Sequence, residues 1–327
     1  MHQINGLLEQ RTIALAILAV GAIVGMAAPG ITEPLERHAL PALFVVVVLS
    51  MVSLARLPMS DLFNGGRAVW RLVLWQQVFL PCFVISVGIL AQFSDSMLVL
   101  ATVTACSGSL FASPMLAELL SLDRRQAVLG MMASTFVMPA SLYVFLTMVH
   151  GRGTALDLAQ YTQRVALFLI VPVLVCGICR FFGTKLSEPA WKRMETGSRW
   201  VSVVALLVFV MGMMHPVSTL LARDASEVVL LLALSTSLTI GMAALTATVM
   251  YRFGLEVALT TAILSGFRNV GFAFALVGAG LDPDLSAYIG LSMLPMFVAP
   301  VLMRLVALLK APTARSMPVH TGAAASV

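Results

Sequence analysis

This chain of 327 residues is 60% hydrophobic and 11% charged, with a formal net charge of +5 and a mean hydropathy of +0.98. Soluble globular domains carry about 25% charged and about 45–50% apolar residues, so the composition excludes a water-soluble fold and predicts an all-α membrane protein. The basic residues lie in short segments between apolar runs, a distribution that argues against a nucleic-acid partner.

Ten apolar stretches are candidates for crossing about 30 Å of hydrocarbon. We predict one transmembrane helix in each, at residues 12–30, 39–55, 72–92, 97–120, 127–149, 165–179, 200–222, 228–251, 257–281 and 286–303. The segment 310–327 is small and polar, and predicts a disordered cytoplasmic tail.

Lysine and arginine are distributed unevenly between the two sides of these ten spans. One side collects 15 of the 20 basic residues and the other side only four. Short cytoplasmic loops are enriched in Lys and Arg, so we predict a multi-pass protein of a bacterial inner membrane with both termini in the cytoplasm. The remaining basic residue, Arg268, lies in the middle of helix 9.

Short matches between the two halves of the chain indicate an internal repeat. The three matches, in the same order in both halves, are Cys106-Ser107-Gly108 with Leu264-Ser265-Gly266, Leu122-Asp123 with Leu281-Asp282, and Phe136-Val137-Met138-Pro139 with Phe297-Val298-Ala299-Pro300. Five helices per repeat force opposite orientations, so we predict an inverted pair of repeats at 1–149 and 150–309. Chance similarity between apolar segments is the alternative.

Polar residues divide the predicted helices into two groups. Ser, Thr, Asn and Gln are more than twice as dense in helices 3–5 and 8–10 as in helices 1–2 and 6–7. Helices that face lipid gain nothing from hydroxyl and amide groups, whereas helices that line a hydrated cavity use them. We therefore predict a core of helices 3–5 and 8–10 and a panel of helices 1–2 and 6–7.

Helices 4 and 9 contain helix-breaking residues at matching positions. Glycine, serine and proline interrupt helix 4 at 107–114, and two glycines flank Arg268 and Asn269 in helix 9 at 265–271. Interrupted helices at corresponding positions of inverted halves are typical of transporter binding sites. We expect both helices to be broken at these positions.

These stretches resemble the bile acid:sodium symporter family, within the wider group of bile, arsenite and riboflavin transporters. The family's helix 9 pattern, roughly T-x-x-x-E-x-G-x-Q-N-x-G, is similar to Thr260–Gly271, and its helix 4 pattern, C-P-G-G followed by S-N, to Cys106–Pro114. Its helix 3 pattern, Q-Y-x-x-M-P, is similar to Gln76–Pro81. The resemblance implies a ten-helix fold with a core and a panel, in which helices 4 and 9 cross at their breaks, and organic-anion substrates.

The resemblance also implies a sodium site, at positions occupied here by Leu264, Arg268 and Gln76. Leu264 stands where the family has its sodium-binding Glu, and Arg268 where it has Gln. Other ligand positions of the family hold Pro114, Ala127 and Met131 here. Loss of the carboxylate and gain of a cation argue against sodium coupling of the family kind, and we predict no metal and no other cofactor.

Arg268 is the strongest single signal in the sequence. A guanidinium cannot deprotonate, and placing one at the centre of a membrane helix costs from ~2.5 to over 10 kcal/mol. Arg268 either bonds carbonyls freed by the broken helices or recruits a carboxylate, sulfonate or phosphate substrate, and the two roles are compatible. The other predicted substrate-binding residues are Asn269, Ser107, Ser109, Ser113 and Gln76.

The sequence shows no nucleotide-binding loop, catalytic triad or metal cluster, so an enzyme is not expected. We predict a secondary transporter that moves a small organic anion by alternating access. The alternative is a membrane-embedded anion sensor or a channel without carrier activity. The expected partners are the anion and the lipid bilayer.

The predicted topology is tested with a C-terminal reporter that is active only in the periplasm. We expect such a fusion to be silent and a cytoplasm-active reporter at the same position to be active, because the basic residues place the C-terminus inside. Strong activity of the periplasmic reporter would show that the topology is wrong.

Overall fold

The structure is a computed structural model that describes residues 16–54, 66–120, 122–150, 157–183, 187–278, 280–282 and 284–310. Within these ranges the chain forms helices and short connections, and one isolated β-bridge is its only extended pairing. The predicted tail at 310–327 lies outside the described residues except for Lys310, as does the beginning of the predicted span 12–30.

We number the helices α1 to α10 and call the halves of an interrupted helix a and b. They are α1 (Ala16–Ala27), α2 (Pro29–Leu54), α3 (66–90), α4a (Asp95–Cys106), α4b (Ser113–Leu119), α5 (Arg124–His150), α6 (Leu158–Gly183), α7 (Glu188–Arg223), α8 (Ala225–Met250), α9a (Leu255–Gly266), α9b (Val270–Val277) and α10 (Leu285–Lys310). Each predicted span overlaps one of them. Two helices contain a π-helical turn, α3 at Trp75–Phe79 and α6 at Ala166–Ile170.

The length and apolar composition of its helices make the chain a helical, multi-pass membrane protein. In the described part, α3, α5, α6, α7 and α8 are long and apolar enough to cross a membrane, and α1 with α2 makes a sixth if this pair, bent by 117°, is one span. The halves α4a and α9a are apolar but have 12 residues each, about 18 Å of helix. Neither reaches across the hydrocarbon alone, so ten crossings in two inverted repeats stay a prediction.

Two helices begin well before the apolar segments that predicted them. Helix α2 begins at Pro29 rather than at 39, since proline is favourable in the first helical turn. Helix α7 begins at Glu188 rather than at 200, and its added turns contain an Arg199–Glu195 pair at 3.5 Å. Hydropathy located only the apolar part of each helix because these first turns are polar and charged.

The helices pack in neighbourhoods that position the two broken helices. Helix α2 lies along α6 and α7, α3 packs against α4a and α5, and α9a packs against α8. Helix α10 contacts both α7 and α8. The division into a panel and a core, with repeats at 1–149 and 150–309, remains a prediction.

The end of α9b is tied to α6 by an arginine. Arg164 Nη1 donates to the Val277 carbonyl at 2.6 Å, at the C-terminus of α9b, where a cation is electrostatically favoured. Gly278 follows with a φ of +82°, and a Cβ there would overlap the Arg164 guanidinium. The tie therefore requires glycine at this position for both backbone conformation and space.

Helix α10 approaches α7 closely at Gly290, where an added Cβ would overlap the Met213 carbonyl and lie 2.7 Å from Val217 Cγ2. We expect Gly290→Ala to destabilise the protein by about 1–3 kcal/mol through overpacking, measured as thermal unfolding in detergent. Gly241→Ala is the matched control, because a Cβ at Gly241 meets nothing within 4 Å and alanine favours helix. Equal loss of stability in the two variants would contradict the close packing of α10 on α7.

Candidate functional site

Helix α4 is interrupted after Cys106. Ser107 leaves the helix in an extended conformation, with φ −63° and ψ 150°, and its hydroxyl donates back to the Thr104 carbonyl at 2.7 Å. The chain resumes helix at Ser113, with Pro114 in the first turn of α4b. Proline is tolerated there because first-turn N–H groups have no helical partner, so the local sequence favours this break.

Helix α9 is interrupted between Gly266 and Val270. Gly266 ends α9a against α8, where an added Cβ would lie 2.9 Å from the Thr239 carbonyl. Asn269 then caps α9b, and its Oδ1 accepts a hydrogen bond from Phe272 N at 3.1 Å. An N-cap side chain satisfies one of the N–H groups that the start of a helix leaves free.

The two breaks lie side by side. Ser109 and Arg268 form an antiparallel β-bridge, in which Leu110 N donates to Phe267 O at 2.8 Å and Asn269 N donates to Gly108 O at 2.7 Å. We call the paired segments 107–110 and 267–269 the joint. The contact between the two breaks is as predicted, and each break supplies backbone partners for the other.

Arg268 is fully buried at the joint, at 0% exposure. Its Nη1 donates to the Ser107 carbonyl at 2.7 Å and its Nη2 to the Gln76 carbonyl at 3.1 Å. Among the residues whose side chains the structure describes, Arg268 makes no salt bridge, and its Nε has no hydrogen-bond partner. The guanidinium is therefore held by backbone carbonyls and keeps an uncompensated positive charge.

The Gln76 carbonyl is available to Arg268 because of the π-helical turn in α3. Leu80 N bonds to Trp75 O, five residues back, and so does not donate to Gln76 as it would in an α-helix. The donor to Gln76 in a continued π pattern is residue 81, a proline without an N–H. Local sequence and backbone geometry thus leave one carbonyl for the arginine of another helix.

Side chains complete the network around the joint. Ser109 Oγ donates to the Leu264 carbonyl at 2.7 Å, and Ser109 N donates to Ser134 Oγ at 3.1 Å. Gln76 Nε2 donates to Ser265 Oγ at 3.2 Å. Helices α3, α4, α5 and α9 are therefore linked through buried hydrogen bonds, and such a network is rigid when its members are satisfied.

Five of the six predicted site residues come together. Arg268, Asn269, Ser107 and Ser109 belong to the joint, and Gln76 of α3 contacts it. Asn269 is also the cap of α9b. Ser113 is buried at the start of α4b, and its hydroxyl has no partner within the described part of the chain.

Two further buried polar residues of the same region are not among the predicted site residues. Ser265 accepts the hydrogen bond from the Gln76 amide. Gln77, at 1% exposure, has both amide atoms unpartnered among the described residues. A buried amide without partners is costly. The available signal was the Gln-Gln pair placed ahead of Pro81, which marks an irregular turn rich in polar groups.

The residues at the implied sodium-site positions do not fit a sodium ion. Leu264 packs in a buried apolar cluster whose other members are Leu72, Ala117, Ala127 and Met131. The carbonyls of Ser107 and Gln76, which are suitable cation ligands, already bind the Arg268 guanidinium. Hard cations prefer several oxygen ligands, and the apolar cluster offers no side-chain oxygen.

Asn269 provides a test of the local architecture. We expect Asn269→Ala to lower stability by about 1 kcal/mol, because the α9b cap is lost, whereas Asn269→Ser retains a capping oxygen and most of the stability. Thermal unfolding of the purified variants in detergent measures both effects. A serine variant as unstable as the alanine variant would show that capping is not the structural role of Asn269.

No protein-family model matches this chain, and no curated protein matches it. The resemblance to the bile acid:sodium symporter family therefore depends on the motif residues of helices 3, 4 and 9. Membership of that family remains a prediction.

Proposed function

We propose that this protein is a secondary transporter of a small organic anion that works by alternating access. The observation that carries the proposal is the buried Arg268 guanidinium, which lies without an acidic partner at the paired breaks of α4 and α9. Among the side chains that the structure describes, no Asp or Glu pairs with Arg268.

The charge of Arg268 favours an anionic substrate. Carbonyl oxygens solvate the guanidinium but bring no net negative charge, and an uncompensated buried charge is costly. Among the described residues the Nε–H has no partner, so a donor remains for a carboxylate, sulfonate or phosphate, the groups that arginine binds best. A substrate anion would supply the missing charge during its passage.

The arrangement of the helices supports a carrier. Transporters with inverted repeats place substrate near the midplane, where broken helices expose backbone groups, and irregular backbone is tolerated at that depth only inside protein or along a cavity. Two halves of α4 and two of α9 meet in this manner at the joint. We therefore propose ten crossings in two inverted repeats, with the predicted core moving against the predicted panel.

Contacts near helix ends join residues that the proposed topology places on the same side. The Arg71 and Arg252 guanidinium groups lie 4.6 and 4.8 Å from the centre of the Phe253 ring, and all three residues belong to the proposed cytoplasmic side. Arg223 lies 3.8 Å from the Asp284 carboxylate on the opposite side. We propose a multi-pass protein of a bacterial inner membrane that has both termini in the cytoplasm, on the basis of the uneven distribution of Lys and Arg.

The proposal is tested by flux into proteoliposomes with acetate, succinate and benzenesulfonate as probes. We expect saturable uptake of at least one of these anions. Arg268→Lys should weaken the apparent affinity of the protein for the transported anion roughly ten- to a hundredfold. The reason is that losing a hydrogen bond to a charged partner typically costs ~1.5–3 kcal/mol.

Arg164→Lys is the matched control, because Arg164 also donates to a helix carbonyl but lies away from the joint. Binding is expressed per folded molecule, so that a low yield of the Arg268 variants does not count as lost affinity. Stabilisation by an anion without flux would favour the sensor, and flux that does not saturate would favour the channel. Equal affinity of Arg268→Lys and wild type would remove Arg268 from the substrate site.

A further inference from the structure

We propose that the Arg268 guanidinium is a tethered cation that fills a cation-binding site at the joint, so that the joint assembles without any ion from solution. The site consists of the Ser107 and Gln76 carbonyls, which come from two different helices. This inference rests on the geometry of the joint and is independent of whether an anion is transported.

The ligands of the guanidinium are those that a monovalent cation would use. Backbone carbonyl oxygens released from helices bind cations in membrane proteins. Here the Ser107 carbonyl is released by the end of α4a, and the Gln76 carbonyl by the π-helical turn ahead of Pro81. The planar fork of arginine reaches both at 2.7 and 3.1 Å, whereas a lysine ammonium lacks this fork.

Helix dipoles add to the attraction for a cation. Helices α4a and α9a have 12 residues each, and both end at the joint, at Cys106 and Gly266. The C-terminus of a helix carries a partial negative charge equivalent to roughly half an elementary charge. Two such ends adjoin Arg268 and favour its charge, whereas the start of α9b at Val270 opposes it. The hydrogen bonds to the Ser107 and Gln76 carbonyls therefore remain the direct stabilisation of the guanidinium in the described part of the chain.

Among the described residues, polar groups next to Arg268 are already paired within the chain. The Leu264 side chain packs in its apolar cluster, and the Leu264 carbonyl accepts a hydrogen bond from the Ser109 hydroxyl. The Gln76 amide is bonded to Ser265. A cation supplied by the chain is permanent, so assembly of the joint should not depend on which alkali ion the medium contains.

Removal of the tethered cation should convert the joint into a vacant site for a small monovalent cation. The experiment measures thermal unfolding of Arg268→Ala in detergent, in NaCl, KCl or choline chloride at one ionic strength, with increasing methylguanidinium. We expect wild type to be indifferent to these cations. The alanine variant should unfold at a lower temperature in choline, and methylguanidinium should restore most of the loss along a saturable binding curve.

Arg164→Ala is the matched control, because it deletes an arginine that also donates to a helix carbonyl, at a partly exposed position. Its stability should respond to methylguanidinium no more than that of wild type. Arg268→Gln, which keeps an N–H donor but no charge, is the second variant should the alanine variant not fold, and it should gain stability from sodium or methylguanidinium.

Two results would overturn the proposal. One is saturable stabilisation of wild type by sodium or potassium, which needs no variant and would reveal an exchangeable ion site. The other is a response of the Arg268 variants to cations that does not exceed the response of Arg164→Ala. Because these measurements use no substrate, a negative result leaves the anion-transport proposal to its own flux test.

Discussion

The need to pair backbone polar groups away from water governs the centre of this protein. Each break in a membrane helix frees N–H and C=O groups, and an unpaired group in hydrocarbon costs several kcal/mol. The two breaks meet this demand together, since each supplies backbone partners to the other across the Ser109–Arg268 bridge. Either break alone would leave those groups unpaired, so the two interruptions depend on one another.

Arg268 pairs two of these backbone carbonyls with a charged side chain. Its guanidinium satisfies carbonyls of two other segments, and the ends of α4a and α9a favour its charge. The cost of burying an arginine, from ~2.5 to over 10 kcal/mol, is thus offset in part within the fold. The Nη atoms serve the joint while Nε stays without a partner in the described residues, so the structural and substrate-binding roles are compatible in one side chain.

The apolar cluster around Leu264 and the guanidinium at the joint are complementary features of the site. Leu264 and its neighbours Ala127 and Met131 provide close packing instead of oxygen ligands, and Arg268 provides the positive charge. An exchangeable ion would make assembly of the joint depend on the medium. A covalently attached ion removes that dependence, and in the proposed carrier the substrate anion would be the exchangeable partner of the joint.

The positions of the helices followed from the sequence because long apolar runs are recognisable without knowledge of the fold. The true starts of α2 at Pro29 and of α7 at Glu188 did not, because polar turns continue a helix without adding hydrophobicity. The breaks in α4 and α9 were also predictable, since Gly, Ser and Pro destabilise helix locally.

The partners of those breaks were decided only by tertiary structure. Pro81 leaves the Gln76 carbonyl without a helical donor. The donor that this carbonyl receives instead is Arg268, 192 residues beyond Gln76. Likewise, the Leu264 carbonyl accepts from Ser109, 155 residues away. Local sequence determines which backbone groups are released, because helix propensity and a missing N–H act over a few residues. The packing of distant helices determines which groups pair with them, since a hydrogen bond requires its atoms to be within about 3 Å.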